Sequence, residues 1–152
     1  MKFDTVAILG VGLLGGSVGA ALRERKLAKR IIGIGRNAES LATAKSLGLV
    51  TETTTDVAQG VRTANLVVIG TPVDKVVEHV ELVRQHCSAA TLITDCGSTK
   101  RAIVRGCTSK AQQQSAIFVG SHPLAGGEKS GPTAARADLF DGRKVVVTPG
   151  KD

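Results

Sequence analysis

Two polar stretches carry most of the reactive groups of this 152-residue chain: Asp95-Cys96-Gly97-Ser98-Thr99-Lys100, and Gly120 to Gly131 with Ser121, His122 and Glu128. Each follows an apolar run and reads as a glycine-containing loop, one offering a hydroxyl and the other an imidazole and a carboxylate. Both loops are expected to face one edge of the fold, where ligands bind. Local pattern leaves both residues open to plainer roles: Ser98 also suits a helix N-cap, and His122 before Pro123 a loop histidine held extended by the proline. His79 and His86 lie seven apart on one expected helix, roughly 10 Å along its axis, and read as solvated rather than as joint metal ligands. Asp95 and Lys100 read as holding their loop, with no chemical role.

A third pattern is Gly10-Val11-Gly12-Leu13-Leu14-Gly15. It sits between an apolar run, Val6 to Leu9, and residues Leu14, Val18, Ala21 and Leu22 at helical spacing, the context in which G-x-G-x-x-G binds a dinucleotide. Gly10 permits the tight turn, Gly12 lets the backbone approach a pyrophosphate, and Gly15 lets helix and strand pack closely, so Gly10, Gly12, Leu13, Leu14 and Gly15 are expected at the cofactor. At the end of the next strand an NAD site carries an acidic residue for the ribose hydroxyls, whereas here stand Gly35-Arg36-Asn37. A guanidinium beside a missing carboxylate suits a 2′-phosphate, so NADP is the expected cofactor, with Asn37 or Ser40 adding a hydrogen bond. The alternative for Arg36 is a solvated surface charge. Thr71-Pro72 is expected near the nicotinamide ribose and equally suits a helix start.

These residues need a scaffold, and apolar runs alternate with helical patterns along the whole chain. Strands are expected at Val6 to Leu9, Ile31 to Ile34, Leu66 to Ile69, Leu92 to Asp95, Ile117 to Val119 and Val145 to Val147. Helices are expected after the glycine turn, from the Asn37 cap to Leu47 with Gly48 as stop, along Val73, Val76, Val77, Val80 and Val83, and over Ser98 to Cys107. A short helix is expected in the loop before the last strand, and no element is assigned between Gly48 and Leu66. The alternation implies a doubly wound, mostly parallel sheet with ligands at the carboxyl ends of its strands.

Composition excludes other classes. With 42% hydrophobic and 22% charged residues the chain is globular and of single-domain size. Three Phe without Trp or Tyr leave no stacking platform for nucleic acid, and the net charge of +7, spread without runs, suits a phosphorylated small ligand better than DNA or a membrane. Cys87, Cys96 and Cys107 form no C-x-x-C pair and read as reduced, cytoplasmic thiols. The uncharged stretch Val6 to Leu22 holds five glycines, which argues against a signal-peptide core or a membrane span.

Gly10 to Gly16, Thr71-Pro72, the Asp-x-Gly-Ser-x-Lys stretch and His122-Pro123-x-Ala125-Gly126-x-Glu128 together resemble the prephenate and arogenate dehydrogenase family of tyrosine biosynthesis. The resemblance implies a Rossmann-type αβα domain that binds NADP. It implies oxidative decarboxylation of prephenate or arogenate, with His122 accepting a proton or hydrogen bond from the ring hydroxyl. Ser98 would hydrogen-bond the same hydroxyl, and Glu128 would lie near the substrate entrance. Family members continue into a helical domain that forms a homodimer and supplies an arginine for the substrate carboxylate. This chain stops at Gly150-Lys151-Asp152, so the resemblance implies the nucleotide-binding part, expected to turn over weakly or not at all and to expose an apolar docking face. Two other readings remain at this stage: another NADP-dependent dehydrogenase or imine reductase, and a non-catalytic NADP(H)-binding regulatory module.

Overall fold

The computed structural model describes residues 2–109 and 116–149. Gly150, Lys151 and Asp152 lie outside them. Among the described residues seven strands form one sheet: β1 (Phe3–Leu9), β2 (Ala28–Ile34), β3 (Glu52–Thr54), β4 (Leu66–Ile69), β5 (Leu92–Asp95), β6 (Ile117–Pro123) and β7 (Val145–Thr148). Their spatial order is β3-β2-β1-β4-β5-β6-β7, parallel throughout except for the antiparallel pair β6-β7. The order reverses direction between β1 and β4, and the crevice beyond the carboxyl ends of those strands is where such sheets hold ligands. The doubly wound Rossmann expectation therefore holds.

Helices α1 (Leu13–Glu24), α2 (Ala38–Ser46), α3 (Val57–Val61), α4 (Val76–Arg84) and α5 (Lys100–Ser109) divide between the two faces. Strand alternation decides the division. In β1, Val6 and Ile8 pack with Leu22, Leu41 and Val50 on the α1/α2 side, while Ala7 and Leu9 pack with Val61, Val76, Val80 and Ile103 on the α3/α4/α5 side. Both cores are built from Ile and Val that fill the space between sheet and helices, each fully buried side chain contributing roughly 1.5–3 kcal/mol. Asn37 caps α2 by accepting from the Ser40 amide at 2.8 Å, and Gly48, at φ +71°, ends the turn after it.

Three features depart from the sequence reading. The stretch left without elements holds β3 and α3; β3 is a polar three-residue edge strand with no apolar alternation, and α3 starts from an Asp56 cap that accepts from the Gln59 amide. The last strand pair reaches further than the apolar residues do: β6 runs through His122 to Pro123, with His122 opposite Val146, so His122 stands on a strand instead of in a loop. The helix expected over Ser98 to Cys107 begins at Lys100. β7 forms one edge of the sheet and leaves Val145, Val146 and Val147 half exposed. Among the described residues no helix is long and apolar enough to cross a membrane.

Candidate active site

The glycine-turn end of the crevice is built from backbone. Gly10 has φ +94°, a conformation closed to most side chains, and turns the chain from β1 toward α1. Helix α1 packs so closely on this turn that a Cβ at Gly15 would lie 2.1 Å from the Gly10 carbonyl oxygen. Around a Cβ at Gly12, by contrast, nothing lies within 4 Å, and this open ledge sits at the start of α1. The first turn of α1 carries no acidic residue, so its unpaired amides and positive dipole end are uncompensated. Open backbone, free N–H groups and no competing carboxylate fit a pyrophosphate.

Beyond β2, Gly35 and Arg36 stand where the sequence places them. Among the described residues no hydrogen bond or ion pair engages the Arg36 guanidinium, and its charge acts on Lys75 and His79 across the crevice. The Asn37 carbonyl oxygen is committed to capping α2, which leaves its amide group as the donor available to a ligand.

The other end of the crevice, the candidate reacting end, is built from side chains. A cavity of about 210 Å³ brings Leu14, Thr71, Pro72, Ser98 and His122 into one wall together with Cys96 and Ala125. Residues from α1 and from the ends of β4, β5 and β6 thus line one cavity. Ser98 is exposed and precedes α5 by two positions, so it is not the residue flanking that helix; no described residue hydrogen-bonds Ser98 or the His122 ring. Both groups therefore face the cavity without protein partners. Glu128 is exposed on the following loop and does not line the cavity.

Asp95, expected from the sequence only to hold its own loop, ties this wall together. The carboxylate is fully buried; one oxygen accepts from the Gly97 amide at 2.9 Å and from Lys100 Nζ, the other from the Ser121 amide at 3.1 Å. Lys100 also donates to the Ser121 carbonyl at 2.8 Å, and the Ser121 hydroxyl donates back to the Asp95 carbonyl. The loop that presents Ser98 is in this way tied to the strand that presents His122, one residue from each. Cys96 lies beneath, its thiol pushed up to about 12 by burial and by the adjacent Asp95 charge, which makes it inert as a nucleophile.

His79 departs from the solvated reading. Its Nδ1 lies 2.8 Å from Thr71 Oγ1 in a partly buried contact, whereas His86 is exposed as expected. Eight residues separate His79 from Thr71, and no spacing rule connects a strand-end threonine to a helix histidine across a turn. The helical periodicity placed His79 correctly on α4 but said nothing of what the ring meets.

Comparison with known proteins adds to this geometry. Residues 18–152 match the family described as the prephenate dehydrogenase nucleotide-binding domain. The chain is 37% identical to the prephenate dehydrogenase of Bacillus subtilis over 97% of its own length and 40% of that protein's. It superposes with a TM-score of 0.89 on a crystal structure of prephenate dehydrogenase from A. aeolicus in complex with hydroxyphenyl propionate and NAD+, at 32% identity, covering 99% of this chain and 52% of that one. A Synechocystis arogenate dehydrogenase structure gives a TM-score of 0.87 at 29% identity over 97% of this chain and 50% of the other. The chain thus spans about half or less of the length of these relatives.

Proposed function

Because the chain belongs to the prephenate dehydrogenase nucleotide-binding domain family, we propose that it is the cofactor-binding part of an enzyme that oxidatively decarboxylates prephenate or arogenate in tyrosine biosynthesis. A nicotinamide cofactor follows from membership in a nucleotide-binding dehydrogenase family. The preference for NADP is our reading of Gly35-Arg36, where a carboxylate is missing and an unengaged guanidinium stands beside the gap. The observation that carries the catalytic assignment is the single cavity in which Ser98 and His122 meet the wall formed by Leu14 and Thr71-Pro72. Neither a different dehydrogenase nor a regulatory module is favoured by the relatives.

In this reading the bound cofactor supplies the hydride acceptor. His122 takes the proton of the substrate's ring hydroxyl as the carbon bearing it is oxidised, and Ser98 donates a hydrogen bond to the same oxygen and fixes its direction. The electrons of the breaking bond to the leaving carboxylate then enter the ring as CO2 departs, aromaticity is restored, and the ring oxygen takes back the proton held by His122. Gly12 and the amides of α1 hold the pyrophosphate, Leu13 and Leu14 flank it, and Thr71-Pro72 bounds the nicotinamide ribose. Glu128, exposed on the loop that follows β6, would lie near the substrate entrance. The helical dimerisation and substrate domain of the family is, in this proposal, carried outside these residues, and the 152-residue chain binds cofactor with little turnover.

Calorimetric titration of the chain with NADP and then NAD, repeated on Arg36→Ala, tests the cofactor assignment. Tighter NADP binding that Arg36→Ala erases is the expected result; equal affinities overturn the NADP preference, and no binding of either overturns the nucleotide site. Rapid NADPH formation on adding prephenate or arogenate with NADP would refute the expectation of weak turnover.

A further inference from the structure

The contact between His79 and Thr71 lies outside every role assigned so far. Thr71 occupies a demanding position. It follows β4 at the point where the sheet reverses direction, it lines the cavity, and its Cγ2 would come within 2.9 Å of a Cβ placed on Gly10. One branch of this β-branched side chain is therefore fixed against the glycine turn, and the other, Oγ1, meets His79 Nδ1 at 2.8 Å. Together the two contacts select one χ1 rotamer and direct the remaining hydrogen-bonding capacity of the hydroxyl.

We propose that His79 is a positioning residue for the dinucleotide: through Nδ1 it holds the Thr71 hydroxyl and sets whether that hydroxyl presents a lone pair or its hydrogen to the bound cofactor. The proposal rests on the nucleotide site described above. A neutral imidazole whose Nδ1 is unprotonated accepts the Thr71 hydrogen, so Oγ1 faces the ligand as an acceptor only. An imidazolium donates from Nδ1, and the hydroxyl hydrogen is released toward the ligand.

The surroundings bias the ring toward the neutral form. Burial pushes the His79 imidazole down from its ordinary value, Glu78 beside it on α4 opposes this, and Lys75 and Arg36 push it further down, Arg36 from the turn after β2. Lys75 is itself partly occupied by Glu78 at 3.0 Å. An anionic cofactor entering between Arg36 and the glycine turn offsets those two positive charges. Cofactor binding and His79 protonation thus favour each other, and protein with His79 binds NADPH more tightly, relative to protein without it, as pH falls.

The test is NADPH fluorescence titration of the 152-residue chain and of His79→Asn, His79→Phe and Thr71→Val, at about pH 8 and about pH 5, on either side of the ordinary histidine range. At the higher pH, His79→Phe and Thr71→Val should each weaken binding roughly three- to tenfold, the range of a lost hydrogen bond, and the double variant should weaken it no more than either single one. His79→Asn, which keeps a hydrogen-bonding amide, should bind nearly as wild type. Its affinity relative to wild type should then fall at the lower pH, a comparison from which titration of the cofactor's own phosphate cancels. Thermal unfolding without ligand separates these effects from loss of fold. Folded His79→Phe that binds NADPH as tightly as wild type at both pH values overturns the proposal and leaves the nucleotide site standing; a wild-type chain that binds neither NADPH nor NADH overturns both.

Discussion

The two ends of the crevice are built on opposite principles. At the glycine turn the ligand would meet backbone, and the residues that matter are those lacking a side chain: Gly10 with φ +94°, Gly15 pressed onto the Gly10 carbonyl, and Gly12 beside open space. At the reacting end it would meet Ser98 and His122, which are held by a buried ion pair and by hydrogen bonds crossing 26 residues of sequence between Asp95 and Ser121. A backbone site is rigid by packing and tolerates no added atom; a side-chain site is rigid by electrostatics and tolerates no missing one.

The largest test of this contrast is Asp95→Ala. Lys100 has only 12% of its side chain exposed, so removing its partner strands a cation in a low-dielectric wall and also unties the Gly97 and Ser121 amides. Denaturant unfolding should show a loss of about 3–5 kcal/mol, the range for breaking a buried pair from one side. Lys100→Met should cost less, because the Asp95 carboxylate keeps two amide donors. A small loss in Asp95→Ala would mean that the reacting end is held by packing after all, and the contrast would fail.

Gly15→Ala comes next and probes the other end. The added Cβ would have to displace backbone, since the Gly10 carbonyl stands 2.1 Å from it, and the expected loss is about 3 kcal/mol, at the upper end for overpacking. Thermal melting reads it directly.

The difference between the ends also explains what could be read from sequence. Glycine spacing after an apolar run reports a backbone site because the requirement is local: residues 10, 12 and 15 of one turn. The six longer or apolar strands were legible for the same reason, as runs of Val, Ile and Leu. β3 was not, because Glu52-Thr53-Thr54 lies at the sheet edge and needs no apolar face; the Asp56 cap with Gln59 three residues on was the available signal. The extension of β6 through Ser121, His122 and Pro123 depends on antiparallel pairing with β7, a tertiary fact that no window around His122 contains. His79 was misread because its partner is a strand-end threonine reached only once α4 has folded back on the crevice.

Asn37→Ala is a smaller test, on the cofactor side. Asn37 Oδ1 satisfies the Ser40 amide at the start of α2, a cap whose removal costs about 1 kcal/mol. If the amide group also reaches the 2′-phosphate, the variant loses NADP affinity beyond what its melting temperature reports, and Asn37→Asp, which keeps the cap and adds a negative charge, loses more affinity with less loss of stability.

Gly12→Ala is expected to disturb folding least, and it divides the two kinds of site most sharply. Gly12 has φ −94°, which alanine adopts, and no atom lies within 4 Å of the new Cβ, so the melting temperature should match that of the parent to within about 0.5 kcal/mol of stability. The same open space is what a pyrophosphate needs in order to reach the amides of α1, and a methyl group placed there holds the phosphates away from every donor at once. Calorimetry should therefore show NADP affinity falling by roughly tenfold or more in a protein of unchanged stability. Gly15→Ala loses stability and Gly12→Ala only its ligand, although both add one methyl to the same turn, because one glycine is empty to admit the protein's own backbone and the other, in the proposed site, to admit the cofactor.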